Sequence, residues 1–353
     1  MNKRRTGIAK KQYLMAVAAI FLIVLIIFGV TRAFSASDTN KKSRSALAQV
    51  GTVTDTTSVT EASTEKSTEE TTVPVISYPE KTADTVPFGE EYDVKNAVLI
   101  NVDDNIIVAD KDSSVKMYPA SLTKVMTLIV AVENMADLSE RVEITHEMVA
   151  SMIDLEASRA GFEPGETPTM REVLYGMILT SGGDASLAAA EHIAGSEEAF
   201  VKLMNNKAEE LGLKCTHFTN TVGLHDENHY STAEDMALIL EYALRNDVCR
   251  DILSAAEYTC EPTALREEPL KFESTVFSRM YGDEMPGVTV LGGKTGYTDE
   301  AGNCIETFAE IGGKTYIMVL CGSTSRWNTI YNTLSAYSVI CAGGQPYVPP
   351  EVY

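Results

Sequence analysis

Strand-like runs stand at both ends of the folded part of this chain, and a long helical stretch separates them. The runs AVLINV and NIIVA flank a turn at 103–105, and three further runs cover 287–294, 303–310 and 315–321. Gly312-Gly313 is a turn signal between the last two. This order predicts an α/β (α+β) fold with one antiparallel sheet, assembled from both ends, flanked by helices and carrying an inserted helical subdomain.

Helix signals fill the middle of the chain. Pro119 lies near the start of the first helix, and the apolar run 125–132 predicts that this helix is buried on most sides. Further on, Ser231 and Glu234 have the spacing of a capping box for a helix that ends near Leu244. These helices would form the inserted subdomain.

The amino-terminal segment has the pattern of a membrane anchor. Five Lys and Arg residues within 1–12 precede an uncharged run at 13–30, which would span roughly 27 Å as a helix. This charge distribution predicts a cytoplasmic tail at 1–12, a transmembrane anchor at 13–30 and an extracytoplasmic remainder. A cleaved secretory signal is the alternative, because Ala33-Phe34-Ser35 offers small residues for processing, and the protein would then be secreted.

Residues 31–86 are rich in Ser, Thr, Glu and Lys. Such a segment cannot bury enough apolar surface to offset its ordering entropy, so we expect a disordered tether. A folded domain is predicted at 87–345, with a short tail at 346–353. The net charge of −21 argues against a nucleic-acid partner, which would require a basic surface.

The six cysteines all lie in the predicted folded domain. Their even number in an exported chain is compatible with disulfides. However, Cys304 and Cys321 lie in apolar strand-like runs, no CxxC occurs, and the domain is large enough to fold without cross-links. We therefore expect free, buried thiols.

A serine followed three residues later by a lysine occurs at Ser63/Lys66, Ser113/Lys116 and Ser121/Lys124. Context favours the last pair, because Ser121 opens the buried first helix, where residues i and i+3 share a face. The amine of Lys124 could accept the proton of an attacking Ser121, and the helix amino terminus could stabilise an oxyanion. A helix cap beside a surface lysine is the alternative.

Lys294-Thr295-Gly296 ends a strand-like run, and its presence supports a catalytic role for the Ser121/Lys124 pair. Lys124 can act as a base only if its pKa is lowered, by desolvation and by a second cation, which Lys294 would supply. Lys294 and Thr295 could also hold a carboxylate, while Gly296 would let a substrate backbone approach the strand. Together the two motifs predict serine acyl transfer on a substrate with a free acidic end. An ordinary strand entering a turn is the alternative.

Five blocks in this order resemble the D-alanyl-D-alanine carboxypeptidases, the low-molecular-mass penicillin-binding proteins with a β-lactamase-like, transpeptidase-like fold. The resemblance covers roughly residues 86–342 and would make the folded domain catalytic. The blocks are YPASLTK at 118–124, TSGGDA at 180–185, NTVGL at 220–224, STAED at 231–235 and GKTGYT at 293–298.

The resemblance implies a role for each matched position. Ser121 is similar to the acylated nucleophile, Lys124 to its proton acceptor and Ser181 to the residue that passes a proton to the leaving amine. Lys294 and Thr295 would hold the carboxylate, and the backbone N–H groups of Ser121 and Tyr297 would form the oxyanion hole. The implied substrate is a peptidoglycan stem pentapeptide ending in D-Ala-D-Ala, β-lactam antibiotics would acylate the same serine, and no cofactor is needed.

Gly183 departs from the family pattern, which usually has an asparagine there to hold a substrate carbonyl. Losing that hydrogen bond costs about 1 to 3 kcal/mol, so we expect a slower or differently selective enzyme that Gly183→Asn would accelerate. A weakly active or inactive homologue that binds peptidoglycan or senses β-lactams is one alternative. A β-lactamase is another, although Glu163 and Glu166 are expected to lie in a solvated turn.

A metal site is not expected. His225 and His229 have a four-residue spacing, but they lie in a predicted loop and lack an obvious third ligand.

Overall fold

The computed structural model describes residues 76–280 and 285–349. Its strands are β1 (Glu80–Pro87), β2 (Asn96–Asn101), β3 (Ile106–Lys111), β4 (Glu257–Thr259), β5 (Lys271–Glu273), β6 (Val288–Thr298), β7 (Gly302–Ile311) and β8 (Lys314–Ser323). Its α-helices are α1 (Thr123–Asn134), α2 (His146–Asp154), α3 (Met170–Leu179), α4 (Gly183–Ala194), α5 (Glu197–Glu210), α6 (Ala233–Leu244), α7 (Asp247–Ser254) and α8 (Arg326–Ala336).

Both ends of the described chain contribute to one six-stranded sheet. The strand order is β1-β3-β2-β8-β7-β6, so β2 from the amino-terminal side pairs with β8 from the carboxyl side. All neighbouring pairs are antiparallel except β1 and β3, which are parallel. Gly312 and Gly313 turn β7 into β8 with φ angles of 60° and 78°, values that glycine adopts without steric cost. The predicted α+β fold is confirmed.

The sheet separates two hydrophobic layers because successive side chains of a strand point to opposite faces. On β7, Cys304 and Phe308 face the larger layer, which contains α1 and the helices of the inserted subdomain. Ile305 and Ala309 face the smaller layer under α8. The inserted helices α2–α7 therefore cover one face of the sheet, where β6 meets the start of α1.

Strand β1 lies within the segment that the sequence analysis assigned to the tether. Its residues, EKTADTVP, are almost all exposed, so no buried face was there to be detected. It is nevertheless held along β3 by backbone pairing, for example between Glu80 and Ile106. The ordered chain thus begins before the predicted boundary at residue 87. The rest of the tether that precedes residue 76, the tail at 1–12 and the anchor at 13–30 lie outside the described residues.

The predicted capping box at Ser231 is wrong by one residue. Thr232 is the cap of α6, and its side chain accepts a hydrogen bond from the backbone N–H of Asp235. Ser231 is buried and its hydroxyl lies 2.8 Å from that of Thr216, while Glu234 accepts a hydrogen bond from Ser113. Both predicted capping residues, Ser231 and Glu234, therefore form side-chain contacts with residues outside the helix.

The six cysteines are free thiols, as expected. Four are buried, whereas Cys215 and Cys341 are half-buried, so the expectation of burial holds for four of the six. Within residues 76–280 and 285–349, no helix combines the length and the apolar character needed to span a bilayer.

Candidate active site

A short 3-10 turn, Ala120–Leu122, carries Ser121 into the amino terminus of α1. Ala120 has a φ of 48°, a left-handed conformation that costs a non-glycine residue energy and often marks a functional site. Gly223, from the NTVGL block, packs against this turn, and a Cβ there would collide with the carbonyl oxygen of Ala120. The backbone around Ser121 is therefore held from outside its own helix.

Ser121 and Lys124 face each other, as their spacing predicts. The Nζ atom of Lys124 lies 3.0 Å from the Oγ atom of Ser121 and donates a second hydrogen bond, of 2.7 Å, to the carbonyl oxygen of Val222. The carbonyl of Val222 thus fixes the amine beside the hydroxyl. This contact could not be predicted from the sequence, because every residue type provides a backbone carbonyl acceptor.

Lys124 is fully buried at the start of α1. This burial lowers its pKa well below the usual value, the positive charge of Lys294 lowers it further, and the negative charge of Asp184 opposes both effects. A neutral amine is a proton acceptor, so Lys124 satisfies the condition for a general base. The second cation that the sequence analysis required is indeed Lys294.

Strand β6 passes close to the nucleophile turn at Gly296. A Cβ at position 296 would lie 3.0 Å from the backbone nitrogen of Ser121 and 3.2 Å from the Cβ of Ala120. The missing side chain thus permits close approach between β6 and the Ser121 turn, whereas the sequence analysis assigned that space to a substrate backbone. It also places the backbone leading to Tyr297 beside the amide of Ser121.

Lys294 connects β6 to Ser181 across the site. Its Nζ atom donates hydrogen bonds of 3.0 Å to the Oγ atom of Ser181 and of 2.7 Å to the carbonyl oxygen of Thr295. Burial lowers the pKa of Lys294 to about 7, with Glu306 raising it and Arg279 lowering it. Ser181 has a φ of 62°, a second strained residue at the site.

A cavity of about 700 Å³ opens over these groups. Of the predicted site residues, Ser121, Lys124, Ser181, Thr295, Gly296 and Tyr297 line it. Lys294 is fully buried and lies one layer below, behind Ser181. Arg279 and Arg326 add two guanidinium groups to the wall, and Thr275 bonds the hydroxyl of Thr295 at 2.7 Å. These three residues have no motif of their own, so they were not predicted from the sequence.

Gly183 is the predicted site residue whose role changes most. It is buried at the start of α4, and a Cβ there would collide with the sulfur of Met152 and lie 3.2 Å from Val222 Cγ1. The space of a position-183 side chain is therefore filled by Met152 of α2. An asparagine at position 183 would therefore require Met152 to move, which the expectation that Gly183→Asn alone accelerates the enzyme did not include.

The two histidines of the loop have separate environments. His229 is buried, accepts a hydrogen bond from the backbone N–H of Thr219 at Nδ1, and has Nε2 2.8 Å from the hydroxyl of Thr123. His225 lines the cavity and packs edge-on against the ring of Tyr118. His229 thus connects the loop to the start of α1, a structural role for one of the two histidines.

Glu166 does not lie in a solvated turn, contrary to the sequence analysis. It is buried, and its Oε1 atom lies 3.1 Å from the guanidinium Nε of Arg266. Its other oxygen accepts a hydrogen bond from the backbone N–H of Glu163, which is itself exposed. The turn therefore contains one solvent-exposed carboxylate, that of Glu163, and one residue, Glu166, in a buried ion pair with Arg266.

The comparisons with known proteins agree with this geometry. D-alanyl-D-alanine carboxypeptidase DacF of Bacillus subtilis is 40% identical over 238 residues, which are 66% of this chain and 58% of that protein. DacB2 of Mycobacterium tuberculosis, also called a D-alanyl-D-alanine carboxypeptidase, is 32% identical over 63% of this chain and 72% of its own length. The chain thus spans less than two thirds of the Bacillus protein.

A solved structure shares the fold. The crystal structure of the Streptomyces K15 DD-transpeptidase aligns with a TM-score of 0.63 at 26% identity, over 68% of this chain and 94% of that one, which confirms the transpeptidase-like fold. The sequence profile of peptidase family S11, described as D-alanyl-D-alanine carboxypeptidase, matches residues 80–325. With more than half of its length matched, the chain belongs to the D-alanyl-D-alanine carboxypeptidase family.

Proposed function

We propose that this protein is a serine-type D-Ala-D-Ala carboxypeptidase that removes the terminal D-Ala from peptidoglycan stem pentapeptides. The observation that carries the proposal is the 3.0 Å contact between Lys124 Nζ and Ser121 Oγ, in a cavity where a second buried lysine, Lys294, lies behind Ser181 of the wall. A hydroxyl, a desolvated amine and a cation converging on one cavity suit acyl transfer from a substrate with a carboxylate.

Acylation begins at Ser121. Lys124, neutral because burial and Lys294 lower its pKa, takes the hydroxyl proton as Oγ attacks the carbonyl carbon of the penultimate D-Ala. Negative charge then develops on the carbonyl oxygen. The backbone N–H groups of Ser121 and Tyr297, which the missing side chain of Gly296 brings together, would stabilise that oxyanion.

The peptide bond breaks when its nitrogen receives a proton. Ser181, hydrogen-bonded to Lys294, would give its hydroxyl proton to the leaving D-Ala and regain a proton from Lys124, which thereby becomes neutral again. The carboxylate of the leaving residue would bind at Thr295 under the positive field of Lys294, with Arg326 at the cavity wall. Water then attacks the ester on Ser121 with Lys124 again as base, which releases the shortened peptide. No metal or organic cofactor is required.

A β-lactamase activity is not favoured. A class A enzyme of that kind needs a glutamate poised to activate water at the acyl ester. Glu166 is instead neutralised by Arg266, and neither residue lines the cavity among the described residues. We therefore expect β-lactams to acylate Ser121 and to remain bound as inhibitors.

The substrate requires an extracytoplasmic location. The uncharged run 13–30 and the cations before it support a single-pass anchor in the cell membrane with the catalytic domain outside, and a cleaved signal would give a secreted form. Treating intact cells with a membrane-impermeant protease distinguishes an external domain from an internal one. Membrane fractionation then separates the anchored form from the secreted form.

The activity is tested by measuring free D-Ala released from a synthetic stem pentapeptide. Wild-type protein should release D-Ala, and Ser121→Ala should not. A matched control is Ser113→Ala, because Ser113 has the same spacing to Lys116 but bonds Glu234 away from the cavity. If wild-type protein releases no D-Ala, or if Ser121→Ala retains the activity, the proposal is wrong.

A further inference from the structure

Glu306 is a buried acid that the proposed mechanism does not use. It lies on β7 directly opposite Lys294 of β6, so the two side chains share one face of the sheet. Glu306 is fully buried, and neither carboxylate oxygen has a hydrogen-bond partner in the described part of the chain. An unpaired buried carboxylate is costly, so a local role is required to explain its presence.

Lys294 is the cation that interacts electrostatically with Glu306. The titratable groups that interact with Glu306 are Lys294, Cys304 on its own strand and Cys321 on β8. Burial raises the pKa of Glu306 well above its usual value, whereas the charge of Lys294 lowers it. The reverse effect also holds, because a negative Glu306 raises the pKa of Lys294.

Among residues 76–280 and 285–349, the other elements that pack against β7 offer no competing charge to Glu306. Helix α8 covers the opposite face of the sheet, and its charged residue, Arg326, lines the active-site cavity. Beyond the Ser121 turn, Lys124 donates to Ser121 and Val222. The acids of α6 have partners elsewhere: Glu234 with Ser113, Asp235 with Thr216 and Glu241 with Arg245.

We propose that Glu306 is a positioning residue that keeps Lys294 in its ammonium form and hydrogen-bonded to Ser181, so that the site remains able to bind a substrate carboxylate. This inference rests on the proposed carboxypeptidase function. The two hydrogen bonds of Lys294 go to neutral oxygens, of Ser181 and of Thr295. Neither partner supplies charge to offset the desolvation of a buried ammonium.

The negative charge of Glu306 should extend the activity of the enzyme to higher pH. As pH rises, Lys294 loses its proton, and the free energy that attracts the carboxylate is lost with it. At pH values above its own raised pKa, Glu306 is negative, and Lys294 beside it then keeps its proton to higher pH. Removing the negative charge should therefore move the alkaline limb of kcat/KM to lower pH, by about one unit if the pair behaves as ordinary opposite charges do.

The test compares Glu306→Gln with wild type in the pH dependence of kcat/KM for D-Ala release and of acylation by benzylpenicillin. Glutamine keeps the shape but cannot ionise, so the alkaline limb should move down by about one pH unit, a loss of about tenfold above it. Glu306→Asp, which keeps the charge, should restore most of the wild-type limb. Thr307→Val is the strand control, because Thr307 faces Tyr337 in the opposite layer.

The outcomes separate the two proposals. If wild-type protein releases no D-Ala, the proposed function fails whatever Glu306 does. If wild-type protein is active and the profile of Glu306→Gln superimposes on it, or changes equally at every pH, Glu306 has only a structural role and the inference is overturned. Removing one partner of a buried charge pair should also lower stability. Thermal unfolding of each variant therefore sets the temperature at which the profiles are measured, so that a folding defect is not mistaken for a shifted limb.

Discussion

The sulfur of Met152 occupies the space into which a side chain at position 183 would extend. Gly183 and Met152 therefore form one packing unit, contributed by the start of α4 and by α2. The unit lies near the catalytic amine, because Val222 contacts position 183 and its carbonyl oxygen accepts a hydrogen bond from Lys124. Met152 fills the space that the missing side chain of Gly183 leaves. A side chain added at position 183 alone would collide with Met152, and a smaller residue at position 152 alone would leave a cavity.

Gly183→Asn alone should lower both stability and D-Ala release, because the added side chain overpacks a buried site at a cost of about 1 to 3 kcal/mol. Combined with Met152→Ala, the asparagine gains room, and kcat/KM should exceed that of Met152→Ala alone. Thermal unfolding and D-Ala release on the two single variants and the double variant measure this coupling. A single Gly183→Asn variant that is faster and equally stable would contradict the packing account.

Gly223→Ala should disrupt the turn that carries Ser121. Its Cβ would collide with the carbonyl oxygen of Ala120, and its φ of 87° adds backbone strain. Gly195→Ala is the matched control, since its φ is 79° but nothing lies within 4 Å of the added Cβ. Both variants should lose about 1 to 2 kcal/mol from the strain.

Only Gly223→Ala should also lose penicillin acylation, because only its collision reaches the nucleophile turn. The acylation rate of each variant, measured below its own unfolding temperature, separates the collision from the strain. Equal acylation rates in the two variants would show that the contact with Ala120 does not position Ser121.

Lys124→Arg should reduce the rate of acylation by about 10²- to 10⁴-fold, the usual contribution of a general base. Arginine stays protonated over the whole working pH range, because its pKa is far above that range, so it cannot accept the Ser121 proton. Lys116→Arg is the control, because Lys116 has the same spacing to a serine but lies over the ring of Tyr230. Stopped-flow labelling with a fluorescent penicillin provides the rates. Activity retained in Lys124→Arg would remove Lys124 from the base role.

His229 should make the fold sensitive to acid. Burial lowers its pKa from 6.5 to about 4, so the folded state resists a proton that the unfolded chain accepts. The stabilisation is complete above pH 6.5 and is lost as pH falls towards 4, by about 3 kcal/mol in total.

Denaturant unfolding at pH 7.5 and pH 4.5 measures this loss. His229→Gln should show a smaller decrease than wild type between the two values, whereas exposed His146→Gln should follow wild type. An equal decrease in all three proteins would show that other groups control the acid response.

The catalytic geometry could be predicted because its motifs have fixed spacings. A serine and a lysine three residues apart share a helical face wherever they lie, and the run ending in Lys294-Thr295-Gly296 had to be a strand of the same sheet. A single sheet built from both ends of the chain was predicted from the strands at those ends, whereas the pairing of β2 with β8 is known from the structure. These features depend on local periodicity, which the sequence contains.

The remaining features depend on tertiary contacts that no local pattern encodes. Strand β1 has no buried face, the cap of α6 shifts because Ser231 has a partner elsewhere, and Met152 lies thirty-one positions before the glycine it complements. Glu306 looked like one polar residue in an ordinary strand. Its position opposite Lys294 became evident only from the register of β6 and β7.

The central claim is that Ser121 is the acylated residue, and mass spectrometry of a trapped adduct tests it most directly. After incubation with benzylpenicillin and trypsin digestion, the mass of the intact drug should appear once, on the peptide 117–124, with fragment ions that assign it to Ser121. Ser121→Ala should carry no adduct. An adduct on Ser181 or on another serine, or no adduct in a folded protein, would contradict the account.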